Sequence, residues 1–386
     1  MNPLHEMTRN RYTTMENPVS STRRPVDRRS FMKGGILAGG AASMGVGLLS
    51  SGAFAQDVDD GSLDAGDVAI LRFVAAAELL ETDLWQQYAE LGGVTLGPDG
   101  TPITQNNYQL ALQHLDGDGS QYITSNTIDE LSHATFINAF LESKGADPVN
   151  LDEFRTLQGS TATGAQNIGR LTNLLHLNVD TSWYIRYRSA TNPDFGATFP
   201  QAINIIDRPT IPATDADMQN ANDIQAIANS AAFHFAAIEQ GGTSLYATMS
   251  QKAKRLKVLQ ITLGIGGDEI AHFLEWVDFA GNAVQGPPFN FQGSTTPVND
   301  KGLKFPNFVT TPPNPLLQPN LIFPVPCEFI NAKLPHCAVI RPITDPVGGA
   351  MAAAAGLTAS GLFTGQSKKF FKALEALATA ADAATR

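Results

Sequence analysis

The sequence predicts an all-α core in which four long helices form a bundle, followed by a proline-rich extension that ends in a further helix. Three observations lead to this fold class. Four segments repeat apolar residues at the spacing of one helix face. Residues 146–222 separate the second segment from the third, which is far longer than an ordinary loop. Thirteen of the 23 prolines lie between Gly286 and Val347, where regular helices cannot continue.

Residues 1–55 are predicted to be an export signal. Arg28 and Arg29 begin the pattern R-R-x-F-x-K, a weakly apolar stretch rich in glycine and alanine follows, and Ala-Phe-Ala at 53–55 supplies a cleavage pattern. The glycines and serines of the apolar stretch disfavour a membrane anchor. The resemblance to twin-arginine signals implies that the twin-arginine export machinery carries the folded protein across the membrane, so we expect a periplasmic or extracellular protein.

The bundle is predicted over residues 64–281. Its first helix runs from Asp64 to about Leu91, with Asp64 and Asp67 as caps and Gly92-Gly93 at its end. A short helix over residues 108–115 follows. The other long helices are expected at about 123–144, 223–249 and 253–279. The apolar stripe of the second long helix is Leu131, Ala134, Ile137 and Leu141, and Gly145 is its stop.

The crossover, residues 146–222, carries a helical pattern at residues 168–176. Its aromatic and basic segment, residues 181–188, is expected either to pack on the bundle or to act as a lid.

The extension, residues 282–386, is expected to be irregular, with short strands such as residues 320–323 and a helix from Lys368 to about Ala381. An exported protein meets oxidising conditions, so Cys327 and Cys337 are expected to form a disulfide.

Two of the long helices carry the same short pattern. The second reads Asp129-Glu130-Leu131-Ser132-His133, and the fourth reads Asp268-Glu269-Ile270-Ala271-His272. A glutamate and a histidine three residues apart project from one helix face, so that their oxygen and nitrogen atoms can bind one metal ion together. Two such helices that face each other would hold a pair of ions.

The other two long helices offer inward carboxylates. Glu239 lies in an apolar run of the third helix, and the first helix offers Glu78 and Glu81. Tyr246 follows Glu239 by seven residues, and Tyr88 follows Glu81 by the same spacing. Each tyrosine is therefore a candidate hydrogen-bond partner for a ligand carboxylate on a neighbouring helix.

Burial decides between a metal site and solvated ion pairs. A single E-x-x-H pattern is weak evidence, and Glu130 also fits a capping box with Thr127. Its duplication within one bundle, with glutamates on the other two apolar faces, is much stronger. Buried carboxylates without a countercharge are strongly unfavourable, and two divalent cations would remove that penalty. Iron and manganese both accept such ligands, so the choice between them stays open.

Glycines lie beside these candidate ligands, at Gly241-Gly242 on the third helix and within residues 264–267 on the fourth. They are expected either to permit close helix approach or to distort the helix and open a route to the ions.

On these residues the chain resembles the ferritin-like superfamily, and in particular the exported ferritin-like domain proteins related to the desiccation-related proteins. The resemblance covers residues 64–91, 123–144 and 223–279. In the first helix, the family pattern fits Phe73, Glu78, Glu81 and Trp85 and favours Glu78, whereas the spacing to Tyr88 favours Glu81. The resemblance implies metal ligation by Glu130, His133, Glu239, Glu269 and His272, with Tyr246 beside them.

The resemblance implies two iron or manganese ions and ferroxidase, peroxidase or catalase-like chemistry on O₂ or H₂O₂. The alternative is a non-catalytic stress or envelope protein that the ions stabilise. The net charge of -11 argues against a nucleic-acid partner, and the crossover and extension would obstruct a ferritin cage. Association with a second copy of the chain stays open.

Overall fold

Helices make up most of the chain that the structure describes. The computed structural model describes residues 62–94, 105–187, 198–285, 299–308, 310, 324–326, 330–331, 333–338 and 348–386. The expected export signal, with Arg28 and Arg29, lies outside these ranges.

Four long helices pack as a helical bundle, in agreement with the predicted class. Within the described ranges the helices are α1 (Ala65–Gly92), α2 (Asn107–Leu115), α3 (Gly119–Ser143), α4 (Ser182–Arg186), α5 (Ala221–Lys252), α6 (Leu256–Asn282), α7 (Ala350–Ala359) and α8 (Lys368–Asp382). Helix α1 packs along α3, and α5 packs along α6. The two pairs meet through α1 with α5 and α3 with α6, which surrounds the core with four helix faces.

Two aspartates fix the start of α1. The side chain of Asp64 caps the helix, as predicted, by accepting the backbone N–H of Gly66 at 2.8 Å. Asp67, expected to be a second cap, is buried and accepts the backbone N–H groups of Lys254 at 2.8 Å and Arg255 at 3.0 Å. Because these residues immediately precede α6, Asp67 ties the start of α1 to the α5–α6 turn.

The inward face of α3 differs from the expected apolar stripe. Ala134, Ile137 and Leu141 are buried, but Leu131 is 54% exposed. Consecutive side chains on a helix are about 100° apart. Because Glu130 points inward, Leu131 has to point outward.

The expected helix over residues 168–176 is wrong, and this segment is irregular. Asp83 on α1 accounts for its path, because Asp83 Oδ2 accepts the backbone N–H groups of Leu171 and Thr172, each at 3.0 Å. With these donors satisfied by a side chain, the segment does not need helical hydrogen bonds.

The segment with aromatic and basic residues packs on the bundle. Trp183 on α4 is fully buried, and its ring centroid lies 5.7 Å from that of Phe233 and 6.0 Å from that of Phe273. Helix α4 is therefore anchored to both α5 and α6.

Short antiparallel strand pairs complete the described crossover and extension. The strands are β1 (Leu177–Val179), β2 (Ile205–Arg208), β3 (Asn299–Asp300), β4 (Leu303–Lys304), β5 (Pro324–Val325) and β6 (Cys337–Ala338), paired in that order. The strand expected over residues 320–323 lies outside the described residues. Helix α8 begins at Lys368, as predicted, and packs against α1. None of the described helices has both the length and the apolar character needed to cross a membrane.

The two cysteines were expected to pair. Cys337 is exposed and makes no disulfide with any residue that the structure describes. Cys327 lies outside the described residues, so the pairing stays a prediction that thiol titration of the unfolded, non-reduced protein would test.

Candidate metal centre

Acidic and histidine side chains from four helices meet in the core of the bundle. Helices α1 and α5 each contribute one glutamate, and α3 and α6 each contribute an E-x-x-H pair. None of the six is more than 8% exposed. The residues that the structure brings together are Glu78, Glu130, His133, Glu239, Glu269 and His272.

The six side chains form two groups that share Glu130 and Glu269. In each group, one donor atom per residue lies within 4.8 Å of the others. A carboxylate has two oxygen atoms, so each shared glutamate can bridge two ions. The unshared members are Glu78 and His133 in one group, and Glu239 and His272 in the other.

Both histidines turn Nδ1 toward the carboxylates. His133 Nδ1 lies 3.3 Å from Glu78 Oε2 and 3.3 Å from Glu130 Oε2. His272 Nδ1 lies 3.2 Å from Glu130 Oε1 and 3.3 Å from Glu239 Oε2. Nδ1 is therefore the ring nitrogen that each histidine would offer to a metal ion.

The aspartate that begins each motif pairs with the histidine of the other motif. Asp268 Oδ2 lies 3.1 Å from His133 Nε2, and Asp129 Oδ2 lies 3.4 Å from His272 Nε2. A carboxylate at the outer nitrogen fixes the orientation and the tautomer of a metal-binding histidine. Neither aspartate was predicted to have a role, although the repetition of aspartate in the D-E-x-x-H pattern indicated one.

Two aromatic side chains hold the single glutamates from the opposite helix. Tyr246 on α5 donates a hydrogen bond to Glu78 Oε1 on α1. Trp85 on α1 donates a 3.0 Å hydrogen bond to Glu239 Oε1 on α5. Each aromatic residue follows the glutamate of its own helix by seven residues, so α1 and α5 orient each other's carboxylate.

Tyr88 does not contact a carboxylate of the cluster, contrary to expectation. Its hydroxyl donates to Thr210 Oγ1 at 2.6 Å and lies 2.7 Å from His234 Nδ1. Three residues correspond to about 300° around a helix, so Tyr88 projects about 60° away from Trp85. Trp85 therefore occupies the position that was expected for Tyr88.

The structure separates the two glutamates of α1. Glu78 belongs to a ligand group, whereas Glu81 belongs to neither. Glu81 is nevertheless buried next to the cluster, where its carboxyl group interacts electrostatically with those of Glu130 and Glu78. The geometry favours Glu78 as the ligand on α1.

Unpartnered atoms test whether the cluster fits two cations. Within the described residues, six of its buried atoms make no hydrogen bond of acceptable geometry, although several lie close to one another: Glu78 Oε2, Glu130 Oε1, Glu239 Oε2, both oxygens of Glu269, and His272 Nδ1. A buried polar atom without a partner is unfavourable by about 1–3 kcal/mol. Cations would coordinate such atoms, so the donor set fits two ions.

Gly242 leaves the space that a shared carboxylate occupies. A Cβ atom at this position would overlap with Glu269 Oε2. Of the two explanations for the glycines, close helix approach therefore applies to Gly242, which lets α6 bring Glu269 against α5. At Gly241, by contrast, no neighbouring atom lies within 4 Å of the position of a Cβ.

Electrostatics give the cluster a strong affinity for positive charge. Burial, followed by the charge of Glu78, raises the pKa of Glu130 to about 8. Burial and the charge of Glu130 also raise the pKa of Glu269. Burial opposes protonation of His133, but hydrogen bonds to Asp268 and Glu130 raise its pKa to about 12. Without cations the cluster holds protons at neutral pH, and bound cations would displace them.

No protein-family model matches the chain, and no curated protein or solved structure matches it either. The buried carboxylate–histidine cluster itself resembles a dinuclear carboxylate metal site.

Proposed function

We propose that the chain is a ferritin-like protein whose cluster holds two iron or manganese ions and acts on O₂ or H₂O₂. The observation that carries the proposal is the pair of ligand groups that share Glu130 and Glu269. Ferritin-like dimetal proteins use a glutamate from each of two helices and an E-x-x-H pair from each of the other two. Glu78 and Glu239 supply the two single glutamates of that plan.

The proposed reaction is of the ferroxidase, peroxidase or catalase-like type. Iron or manganese, when bound, supplies a change of oxidation state and coordination positions for a small oxidant. The chain itself supplies orientation, through Asp268 and Asp129 at the histidines and through Trp85 and Tyr246 at the glutamates. Burial of the cluster excludes bulk water and strengthens these interactions.

Metal analysis of the protein purified from cells that export it, combined with assays of O₂ and peroxide consumption, tests the proposal. We expect two metal equivalents per chain, and His133→Ala or His272→Ala should each remove about one equivalent and the turnover. His176→Ala is the matched control, because His176 is exposed and pairs with Asp207 outside the cluster. A wild-type protein that binds no metal would overturn the proposal. Two ions without turnover would instead support the stress or envelope protein.

We also propose that the protein acts outside the cytoplasm, on the basis of the R-R-x-F-x-K pattern that begins at Arg28. The double substitution Arg28→Lys with Arg29→Lys should block export, and amino-terminal sequencing of the exported protein should begin at Gln56. Exported protein that begins at Met1 would exclude cleavage.

A further inference from the structure

A cavity of about 370 Å³ lies between α1, α5 and α7. Phe73, Ala77 and Glu81 line it from α1, where their spacing of four residues places them on one helix face. Helix α7 lines the cavity with Ala352, Ala353 and Gly356, whose small size leaves the space unfilled. The wall also carries polar side chains, of which Gln240 and Ser244 hydrogen-bond to each other at 2.8 Å. Cavities of this volume that combine apolar and polar lining residues are typical of small-molecule sites.

One polar group in the cavity wall lacks a partner. His234 on α5 is 1% exposed, and its Nδ1 lies 2.7 Å from the Tyr88 hydroxyl. Its Nε2 atom has no hydrogen-bond partner in the described part of the chain. Because a buried unpartnered nitrogen is unfavourable, a molecule whose polar group reached Nε2 from the cavity would complete its hydrogen bonding.

The other charged residues of the wall favour an uncharged ligand. Arg186 and Asp180 both line the cavity, and their side chains lie 3.8 Å apart. Their opposite charges offset each other at this distance. Glu81 then remains as the carboxyl group available for a hydrogen bond.

The cavity lies directly beside the metal centre. Gly242 lines it, and the Glu269 carboxylate occupies the position next to Gly242 where a side chain would otherwise begin. Glu81 also lines the cavity, one helical turn from Glu78. Gly242 therefore borders both the cavity and a shared ligand of the centre.

We propose that this cavity binds a small, uncharged, mostly apolar organic molecule with one hydrogen-bonding group, such as a phenol. The proposal deepens the proposed function, on which it rests for the presence of metal ions next to the ligand. The apolar walls hold the hydrocarbon part of the molecule, and Glu81 and His234 receive its polar group.

Binding of p-cresol to the purified full chain, measured by ligand-observed NMR and calorimetry, tests the proposal. We expect one binding site and at least about tenfold weaker binding of the charged analogue 4-methylbenzoate, since transfer of an ionised carboxylate into an apolar site is unfavourable. Gly241→Leu should weaken p-cresol binding at least about tenfold, because the leucine would fill the cavity. The Cβ atom of the new side chain has room, since nothing lies within 4 Å of its position. Gly356→Leu should act in the same way from the opposite wall.

Gly264→Leu is the matched control. Gly264 is a helical glycine on α6 that also has no atom within 4 Å of its Cβ position, but it faces a groove between α3 and α6. Its p-cresol affinity should equal that of the wild type. Absence of p-cresol binding, or equal binding by all three variants and the wild type, would overturn the proposal. Metal content measured on the same samples distinguishes failure of the cavity proposal from failure of the proposed metal-dependent function. The cavity can bind p-cresol whether or not the protein holds metal.

Discussion

Asp268 Oδ2 lies 3.1 Å from Nε2 of His133, so the motif on α6 orients the histidine of the motif on α3. Asp129 and His272 make the reverse contact at 3.4 Å. This reciprocal pairing links α3 to α6 through the cluster itself. It also explains why both motifs begin with an aspartate, because the aspartate of each helix pairs with the histidine of the other helix.

Replacement of Asp268 tests this relationship. Asp268→Asn should lower the affinity for metal by about 10–100-fold, because the amide cannot supply the charge that holds the imidazole of His133 in place. Competition with a chelator measures the affinity, and two metal sites should remain at saturation. Asp129→Asn should have a comparable effect through His272.

Asp278→Asn is the control for this experiment, because Asp278 is an exposed acid on the same helix, α6. Its metal affinity should equal that of the wild type. An unchanged affinity in Asp268→Asn would show that the pairing with His133 has no part in metal binding.

The two glutamates of α1 give a second prediction. Glu78→Gln should reduce metal content, because it removes a negatively charged ligand from one of the two groups. Glu81→Gln should leave two equivalents bound, because Glu81 belongs to neither group. Elemental analysis of the two purified variants distinguishes them, and metal loss in Glu81→Gln alone would reverse the assignment.

The sequence could predict the parts of the site that depend on the residues of one helix alone. The E-x-x-H spacing places Glu130 and His133 on one face whatever the helix packs against. Local patterns of apolar and capping residues likewise predict the long helices and the cap at Asp64.

The parts that the sequence could not predict depend on distant segments. The irregular path of residues 168–176 depends on Asp83, more than eighty residues earlier in the chain. The sequence left two alternatives on α1, Glu78 with Trp85 and Glu81 with Tyr88, because both pairs have the same seven-residue spacing. The choice between them depends on how α1 is rotated against α5.

Gly242 gives a third prediction, for which α6 offers a matched control. Gly242→Ala should lower metal content, because the new Cβ would displace the Glu269 carboxylate from its position between the two groups. Gly267→Ala, at a position with no atom within 4 Å, should keep both ions and gain about 1 kcal/mol of stability from helix propensity. Elemental analysis and thermal unfolding measure the two effects. Full metal content in Gly242→Ala would show that the cluster tolerates movement of Glu269.

The raised pKa values determine how the stability of the metal-free protein changes with pH. The pKa of Glu130 is about 8 in the folded protein, against an ordinary value of 4.5. The pKa of His133 is about 12, against an ordinary value of 6.5. Between pH 5 and pH 8 the folded state therefore binds more protons than the unfolded state does, and this difference makes stability fall as the pH rises.

The metal-free protein should therefore have a larger free energy of unfolding at pH 5 than at pH 8, when measured by urea denaturation after removal of metal with a chelator. Metal ions should oppose this trend, because they replace the protons of the cluster and bind more tightly as the pH rises. The stability gained on adding iron or manganese should accordingly be greater at pH 8 than at pH 5. In Glu130→Gln, which lacks the titrating carboxyl group, the decline of the metal-free protein between the two pH values should be smaller. A metal-free wild type that becomes more stable from pH 5 to pH 8 would contradict the proton-holding state of the cluster.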